Sequence, residues 1–225
     1  MRRLNLFRKG CAIFLGLSLV VAAGLAADHF DIVVGPEMMA QIEKTYGPEA
    51  RKRVEMWLKL LKTEANVPEA DKLNYVNLFV NQVQFVDDII HWHKADYWAT
   101  PVETLASNGG DCEDFAIAKY MSLKAMGVPE EKLRMTYVKA LKLNQAHMVL
   151  TYLATPTSEP LVLDNLDPAI KPASQRPDLL PIYSFNGSGL FMAKARGAGE
   201  RVGGSDQVGL WSDLLNRMKN IETGS

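Results

Sequence analysis

Apolar residues in the first half of the chain recur at helical spacing. Between 36 and 90 they fall three or four positions apart in two stripes, at Val54, Trp57, Leu58 and Leu61 and then at Leu73, Val76, Val80 and Val83. Segments 47–48 (GP) and 66–68 (NVP) interrupt the pattern, and each places a proline where a helix can start. We therefore predict helices whose stripes face a common core.

Two further helices are predicted from their end signals. Segment 100–103 (TPVE) has an N-cap threonine, a proline in the first helical position and an acid three residues after the cap, which together form a capping box. Segment 108–110 (NGG) gives a flexible approach to Asp111, a good N-cap, and the apolar run at 115–123 leads to a stop at Gly127. Because apolar residues lie on nearly every side, this second helix is expected to be central and buried.

The apolar period changes to two after this helix. Segments 135–143, 147–153 and 161–164 are predicted strands, and an antiparallel meander is their simplest arrangement. The glycine-rich segment 186–205 is predicted to be a loop, and a final amphipathic helix is indicated from Leu210 to Met218. The fold class is therefore α+β, with N-terminal helices, one central helix and an antiparallel sheet.

The first 27 residues follow a different pattern. Four basic residues lie within the first nine positions and precede an apolar run at 12–25, which ends in two alanines before Asp28. This is the layout of a secretory signal peptide. The alternative is an uncleaved membrane anchor, but the run is shorter than the roughly 20 apolar residues that a spanning helix needs. We predict a leader at 1–27, removed on export, and a single domain at 28–225.

Removal of the leader changes both the charge and the cysteine content. The formal net charge falls from −1 to −5, which argues against a nucleic-acid partner. The remaining chain has a single cysteine, Cys112, in a compartment where disulfides normally form. Because it has no internal partner, Cys112 is either an inert core residue or a thiol kept for its chemistry.

The position of Cys112 favours chemistry. With Asp111 as the N-cap, Cys112 occupies the first turn of the predicted central helix. Unpaired backbone N–H groups and the positive end of the helix dipole favour a thiolate there. The same N–H groups could hold the oxyanion of a tetrahedral intermediate.

A histidine and an aspartate complete the predicted site. His147 begins one predicted strand and Asp164 ends the next, and the midpoint between them falls between Thr155 and Pro156. A hairpin that turns there places the two roughly opposite each other, although the turn residues run slightly later, so a bulge or an uneven loop is needed. A carboxylate in that position can accept one histidine N–H and leave the other nitrogen for the thiol.

Each of these residues also has a structural interpretation. A free cysteine is commonly buried, a histidine at a strand start is usually a satisfied core or surface residue, and an aspartate after an apolar run often ends a strand. The catalytic hypothesis therefore depends on their combination with the helix-end position and the export of an unpaired thiol.

Three segments resemble the bacterial transglutaminase-like cysteine proteinases: NGGDCEDFA at 108–116, AHMV at 146–149 and LVLDN at 161–165. The resemblance extends over most of the chain after the leader, includes WATP at 98–101, and follows the family order Cys, His, Asp. It implies a papain-like or transglutaminase-like fold with Cys112 as nucleophile, His147 as general base and Asp164 as the residue that orients the histidine.

The resemblance also implies a biological role. Members of this family suggest a periplasmic, calcium-dependent endopeptidase that cuts a large secreted adhesin near its N-terminus, at a site with adjacent alanines, and so releases cells from a biofilm. They further suggest inhibition by an inner-membrane receptor that sequesters the protease when cytoplasmic cyclic-di-GMP is high.

The acids around Cys112 suggest a reason for calcium. Asp111, Glu113 and Asp114 raise the pKa of a neighbouring thiol and so oppose the helix dipole. A divalent cation held by Asp111 and Glu113, together with backbone oxygens and water, would offset them. The residues alone equally allow that these acids only cap the helix. The resemblance implies a Ca²⁺ site, because the calcium residues of the family match Asp111 and Glu113.

His91 and His93 are not predicted to bind zinc, because a spacing of two brings them together only on a strand and no second ligand pair is evident. Trp92, Tyr97 and Trp98 precede the catalytic helix and are either core residues or part of a recognition groove, with at least one expected in the core.

Two other functions remain compatible with the sequence. A transglutaminase or amidase uses the same three residues but passes the acyl group to an amine rather than to water. A calcium-binding or peptide-binding module that has lost catalysis would keep an unreactive thiol.

Overall fold

Three helices open the computed structural model, which describes residues 31–192 and 199–223. They are α1 (Pro36–Tyr46), α2 (Pro48–Thr63) and α3 (Glu69–Val80). Both predicted stripes are buried, apart from the partly buried Leu58. Within the described ranges, every helix is too short or insufficiently apolar to cross a membrane. The predicted leader at 1–27 lies outside the described residues.

Two short helices precede the central one. The short helices are α4 (Asp88–His91) and α5 (Pro101–Ser107), and the long helix α6 (Cys112–Ala125) follows them. The predicted capping box of α5 is confirmed: the Thr100 hydroxyl accepts from the Glu103 N–H at 3.2 Å, and the Glu103 carboxylate accepts from the Thr100 N–H at 2.7 Å. Residues 114–123 of α6 are all buried, so α6 is the predicted central helix.

One antiparallel sheet forms the second half of the chain. Its strands are β3 (Leu133–Ala140), β4 (Gln145–Tyr152), β5 (Leu161–Leu163), β6 (Lys171–Pro172), β7 (Leu179–Asn186), β8 (Gly189–Met192) and β9 (Glu200–Gly203), and they lie in the order β6-β5-β4-β3-β7-β8-β9. A separate pair, β1 (Gln84–Phe85) and β2 (Gly109–Gly110), is parallel. The three predicted strands are confirmed, but the simple meander is incomplete because β7 returns to pair with β3.

The prediction of a loop at 186–205 is wrong at Gly189–Met192 and Glu200–Gly203, which form strands β8 and β9. Glycine is needed there for close approach of two strands: a Cβ at Gly189 would lie 2.6 Å from the Arg201 side chain and 3.1 Å from the Gly203 carbonyl oxygen. Phe191 on β8 is buried. The glycine-rich composition therefore reflects tight strand pairing, which sequence pattern alone does not distinguish from a loop.

The core joins helices and sheet around α6. This helix contacts α2, α3 and α5 as well as strands β3 and β4. Trp57 of α2 donates through its indole N–H to the Ser122 hydroxyl of α6 at 2.8 Å. The predicted final helix is α7 (Gly209–Thr223), whose buried Trp211 packs edge-on against Tyr120 of α6 and Phe185 of β7. The start of α6 is thereby held against β4, which carries His147.

Candidate active site

The start of α6 is fixed by close packing. Cys112 is its first residue and is partly buried. A Cβ at Gly109 would lie 2.6 Å from the His91 ring, and one at Gly110 would lie 2.6 Å from the Asp114 carboxylate. The prediction that this glycine segment is a flexible approach is therefore wrong, because the glycines are needed for contact rather than for mobility.

Two groups contact the sulfur of Cys112. The thiol donates to Oε2 of Glu113 at 3.0 Å. The backbone N–H of Met148, the residue after His147 on β4, donates to the sulfur. Burial, followed by the charge and hydrogen bond of Glu113 and the charge of Asp111, raises the pKa of the thiol, while the Met148 N–H opposes this. The acids thus favour the neutral thiol, and β4 brings the backbone beside His147 to the sulfur.

His147 and Asp164 form a buried hydrogen-bonded pair. Nε2 of His147 lies 2.8 Å from Oδ1 of Asp164, and the two side chains are 3% and 0% exposed. Because a carboxylate only accepts, Nε2 carries the proton, and Nδ1 is the nitrogen left for the thiol. The structure thus joins His147 to Asp164 and brings the backbone of the next residue, Met148, to the Cys112 sulfur.

The register between β4 and β5 explains how the pair forms. Leu150 pairs with Leu163 and Thr151 with Val162, so the turn is centred one residue later than predicted. Asp164 lies just beyond β5 and reaches His147 diagonally. The offset of two residues keeps both side chains on the same face of the sheet, which a shift of one residue would not do.

Asp164 is held by further groups that the sequence analysis missed. Its Oδ1 also accepts the Leu166 N–H at 3.1 Å, and its Oδ2 accepts Nη2 of Arg176 at 2.7 Å. The Asn81 side chain, directly after α3, donates to the Asp164 carbonyl oxygen at 2.9 Å. Burial opposes ionisation of Asp164, but the hydrogen bond and charge of His147, the Leu166 N–H and Arg176 outweigh it and lower its pKa to about 2.

An acidic cluster lies beside Cys112 and is larger than predicted. Besides Asp111, Glu113 and Asp114 at the start of α6, it contains Asp88 of α4 and Asp96 from the segment that follows. Side-chain oxygens of Asp88, Asp96 and Glu113 lie within 4.8 Å of one another, and so do those of Asp88, Asp111 and Asp114. The two additional acids are distant in sequence from Cys112, and their only sequence signal is a concentration of acids around 87–96.

Asp88, Asp111 and Asp114 receive no hydrogen bond from a basic side chain among the described residues. Asp114 uses its oxygens to accept backbone N–H groups, from Ala99 at 2.7 Å and from Asp111 at 3.4 Å. Asp88 accepts the Tyr97 N–H through Oδ2, while Oδ1 of Asp88 and Oδ1 of Asp111 are buried and have no hydrogen-bond partner in the described part of the chain. Such orphaned carboxylate oxygens are rare in folded proteins.

The electrostatics of the cluster follow from this crowding. Burial and then neighbouring acids raise the pKa of Asp88 to about 6 and raise that of Asp111 well above its ordinary value. Buried carboxylates that repel one another and offer free oxygens provide the donor set of a hard divalent cation such as Ca²⁺. The residues present therefore fit a calcium ion, with Asp88 and Asp96 adding to the two ligands expected from sequence.

The neighbouring histidines and aromatic residues have other contacts. His91 packs against Gly109 and its Nε2 lies 2.8 Å from the Ser107 hydroxyl. Trp98 is buried and stacks on Phe185 with 5.7 Å between ring centroids, which confirms that at least one of the three predicted aromatics is in the core. Its side chain also hydrogen bonds to Asp96, which ties the acidic cluster to the core.

Comparison with known proteins identifies the family. A family model described as bacterial transglutaminase-like cysteine proteinase matches residues 46–178, which include Cys112, His147 and Asp164. The chain belongs to this family of cysteine proteinases. Membership in the transglutaminase-like proteinases agrees with the predicted α+β fold, in which a thiol at the start of a helix faces an antiparallel sheet.

Solved structures agree with the family assignment. The chain is 46% identical to Legionella pneumophila LapG, with a TM-score of 0.70, and the match covers 81% of this chain and 96% of that one. Calcium-bound LapG from the same organism matches with 46% identity and a TM-score of 0.69, over 81% of this chain and 98% of that one. The EGTA-treated form matches with 46% identity and a TM-score of 0.71, over 81% and 96%. A search of curated proteins gave no match.

Proposed function

We propose that the protein is a calcium-dependent periplasmic cysteine endopeptidase that cleaves a large surface adhesin near its N-terminus and so releases biofilm cells, under the control of an inner-membrane cyclic-di-GMP receptor. One observation carries the catalytic part: the Cys112 thiol at the start of α6 meets the backbone beside His147, whose ring is bonded to the buried Asp164. Family membership supports the proteinase class. The adhesin, the receptor and the location are proposed from the family resemblance and the leader-like pattern at 1–27.

The proposed reaction follows from the ring orientation. Nδ1 of His147 accepts the proton of Cys112, and the sulfur attacks the carbonyl carbon of the scissile peptide bond. N–H groups in the first turn of α6 stabilise the resulting oxyanion. His147 then gives the proton to the leaving amine, and the acyl-enzyme remains. His147 next takes a proton from water, and the resulting hydroxyl attacks the acyl carbon. The C–S bond breaks, His147 returns its proton to the sulfur, and the acid leaves and loses its proton to solvent as a carboxylate.

Asp88, Asp96, Asp111 and Glu113 are the residues that would hold calcium. When bound, the ion would supply the positive charge that offsets the acids beside the thiol, including Glu113, which accepts the thiol hydrogen. LapG is described in a calcium-bound form, and this supports the same ion here. Asp114 has a different role, because both of its oxygens accept backbone N–H groups at the start of α6.

Calcium-dependent cleavage tests the proposal. The mature chain at 28–225 is incubated with an N-terminal fragment of the large repeat adhesin of the same organism, in calcium and in excess chelator, and the products are weighed by mass spectrometry with a primary amine present. In calcium we expect one cut at adjacent alanines, with products whose masses show addition of water and not of the amine. In excess chelator we expect no cleavage. An intact fragment in calcium, amine incorporation, or full cleavage in chelator would each contradict the proposed function.

A matched pair of variants tests the ligand assignment. Asp88→Asn removes the charge of a buried cluster member and is expected to weaken calcium activation at least about 10-fold and to reduce the calcium-induced rise in melting temperature. Asp87→Asn alters an exposed neighbour and should leave both unchanged. A wild-type calcium response in Asp88→Asn would exclude Asp88 from the site.

A further inference from the structure

A buried arginine lies behind the proposed catalytic carboxylate. Arg176 follows β6, and its side chain is 3% exposed. Its Nη2 donates to Oδ2 of Asp164 at 2.7 Å. The guanidinium also forms two hydrogen bonds to the Asp178 carboxylate, which accepts from Nε at 3.1 Å and from Nη2 at 2.9 Å. Two parallel bonds of this kind fix the plane of an arginine.

The backbone around Arg176 is also fixed. The Arg176 N–H donates to the Ala173 carbonyl oxygen at 3.0 Å, and the Arg176 carbonyl oxygen accepts the Leu179 N–H at 3.1 Å. Pro177 follows directly in the sequence and restricts the chain further. The side chain therefore projects from a rigid segment and meets Asp164 with little freedom to move.

This contact determines how Asp164 can be oriented. His147 and the Leu166 N–H occupy Oδ1 of Asp164, and Arg176 occupies Oδ2. A rotation of the carboxylate away from His147 would break its hydrogen bond to Arg176. The buried charges of Asp164 and Arg176 would then be unpaired, which is unfavourable. Oδ1 therefore stays directed at Nε2 of His147, and the ring keeps Nδ1 for the thiol.

Other charges around Asp164 do not replace Arg176. His147 faces it from β4, Lys119 acts on it from α6, and Asp178 lies behind Arg176. Burial lowers the pKa of Lys119 to about 7, although Asp164 opposes the shift, so Lys119 loses its charge near neutral pH. A guanidinium remains charged throughout this range and bonds in a fixed fork geometry.

We propose that Arg176 is a positioning residue that acts through Asp164 to hold the His147 ring in its working orientation. The proposal rests on the proposed cysteine endopeptidase function. An Arg176–Asp164 ion pair with a purely structural role would contribute to folding without affecting the His147 ring or the turnover of bound substrate.

Two variants at this position and one control test the proposal. In calcium, kcat and KM are measured for Arg176→Met, Arg176→Lys and Arg134→Met with the adhesin fragment. Arg134 is a second buried arginine, bonded to the backbone carbonyl oxygens of Glu131 and Leu133. We expect Arg176→Met to lower kcat about 10- to 100-fold with little change in KM. This loss is smaller than the loss of kcat expected when Asp164 itself is replaced. Arg176→Lys should recover part of it, and Arg134→Met should alter only the melting temperature.

A proton NMR signal provides a readout that needs no substrate. The proton shared by Nε2 of His147 and Asp164 should give a downfield resonance, assignable with His147→Ala because the chain has only four histidines. We expect it to shift or broaden in both Arg176 variants and to be unchanged in Arg134→Met. If Arg176→Met does not fold, Arg176→Lys still tests the proposal, because it keeps the charge and loses the fork. Wild-type kcat together with a wild-type resonance in Arg176→Lys and in any folded Arg176→Met would overturn it. Failure of the wild-type protein to cleave would instead count against the proposed function, and the resonance would still report on Arg176.

Discussion

Replacement of Cys112 by alanine is expected to abolish cleavage of the adhesin fragment while leaving the fold intact. The change removes the nucleophilic sulfur and little else, since Cys112 is partly buried and its sulfur contacts the adjacent Glu113 carboxylate and the Met148 N–H. The rate should fall by at least about 10⁴-fold. The melting temperature should change by no more than about 4 °C, as for a loss of roughly 1 kcal/mol or less in a chain of this size.

Cys112→Ser is the control for this result. It keeps an atom of similar position but a far weaker nucleophile, so it should bind the fragment and leave it essentially uncut. Retention of even about one tenth of wild-type activity by the alanine variant would place the nucleophile elsewhere.

Replacement of Asp164 by asparagine is expected to lower kcat about 10⁴-fold. The amide presents either an oxygen or an NH₂ group to the ring, and the NH₂ group favours the tautomer with its proton on Nδ1, which cannot accept the proton of Cys112. Steady-state cleavage measures this loss. Asp167→Asn is a matched control, because Asp167 bonds to Lys171 and to the Ala169 N–H on the same loop, and it should retain wild-type activity.

The same variant has a defined dependence of stability on pH. The pKa of Asp164 is about 2 in the folded protein against an ordinary value of 3.8, so its ionised form stabilises the folded state above pH 4 by about 2 kcal/mol. This contribution is lost as pH falls from about 4 towards 2. Urea unfolding should therefore show a difference between wild type and Asp164→Asn that is constant from pH 7 to 5 and shrinks below pH 4. A difference that grows on acidification would contradict the assignment of this pKa.

Local signals in the sequence were sufficient to predict the main helices and the placement of Cys112 at the start of one of them. Helix ends depend on nearest neighbours, so the capping box at Thr100 and the start of α6 at Cys112 could be located from a few residues. Successive side chains of a strand likewise alternate between the two faces of the sheet, so residue spacing fixes the face that each occupies. Asp164 therefore reaches His147 although the turn lies one residue later than predicted.

Contacts between distant segments were not predictable in this way. Asp88 and Asp96 join the acidic cluster because β1 pairs with β2 and places α4 beside the start of α6. Arg176 reaches Asp164 because the chain turns back through β6, and no pattern marks it in the sequence. The glycines of β8 and β9 predict a loop, because the close approach that requires them is visible only once the strands are paired.

We propose that His147, held by Asp164, activates the thiol of Cys112. Alkylation of residues 28–225 by iodoacetamide in calcium at neutral pH tests this directly, because that part of the chain has one cysteine and intact mass reports its modification. We predict that wild-type protein is labelled at least about 10-fold faster than His147→Ala. Equal labelling rates in the two proteins would contradict the account.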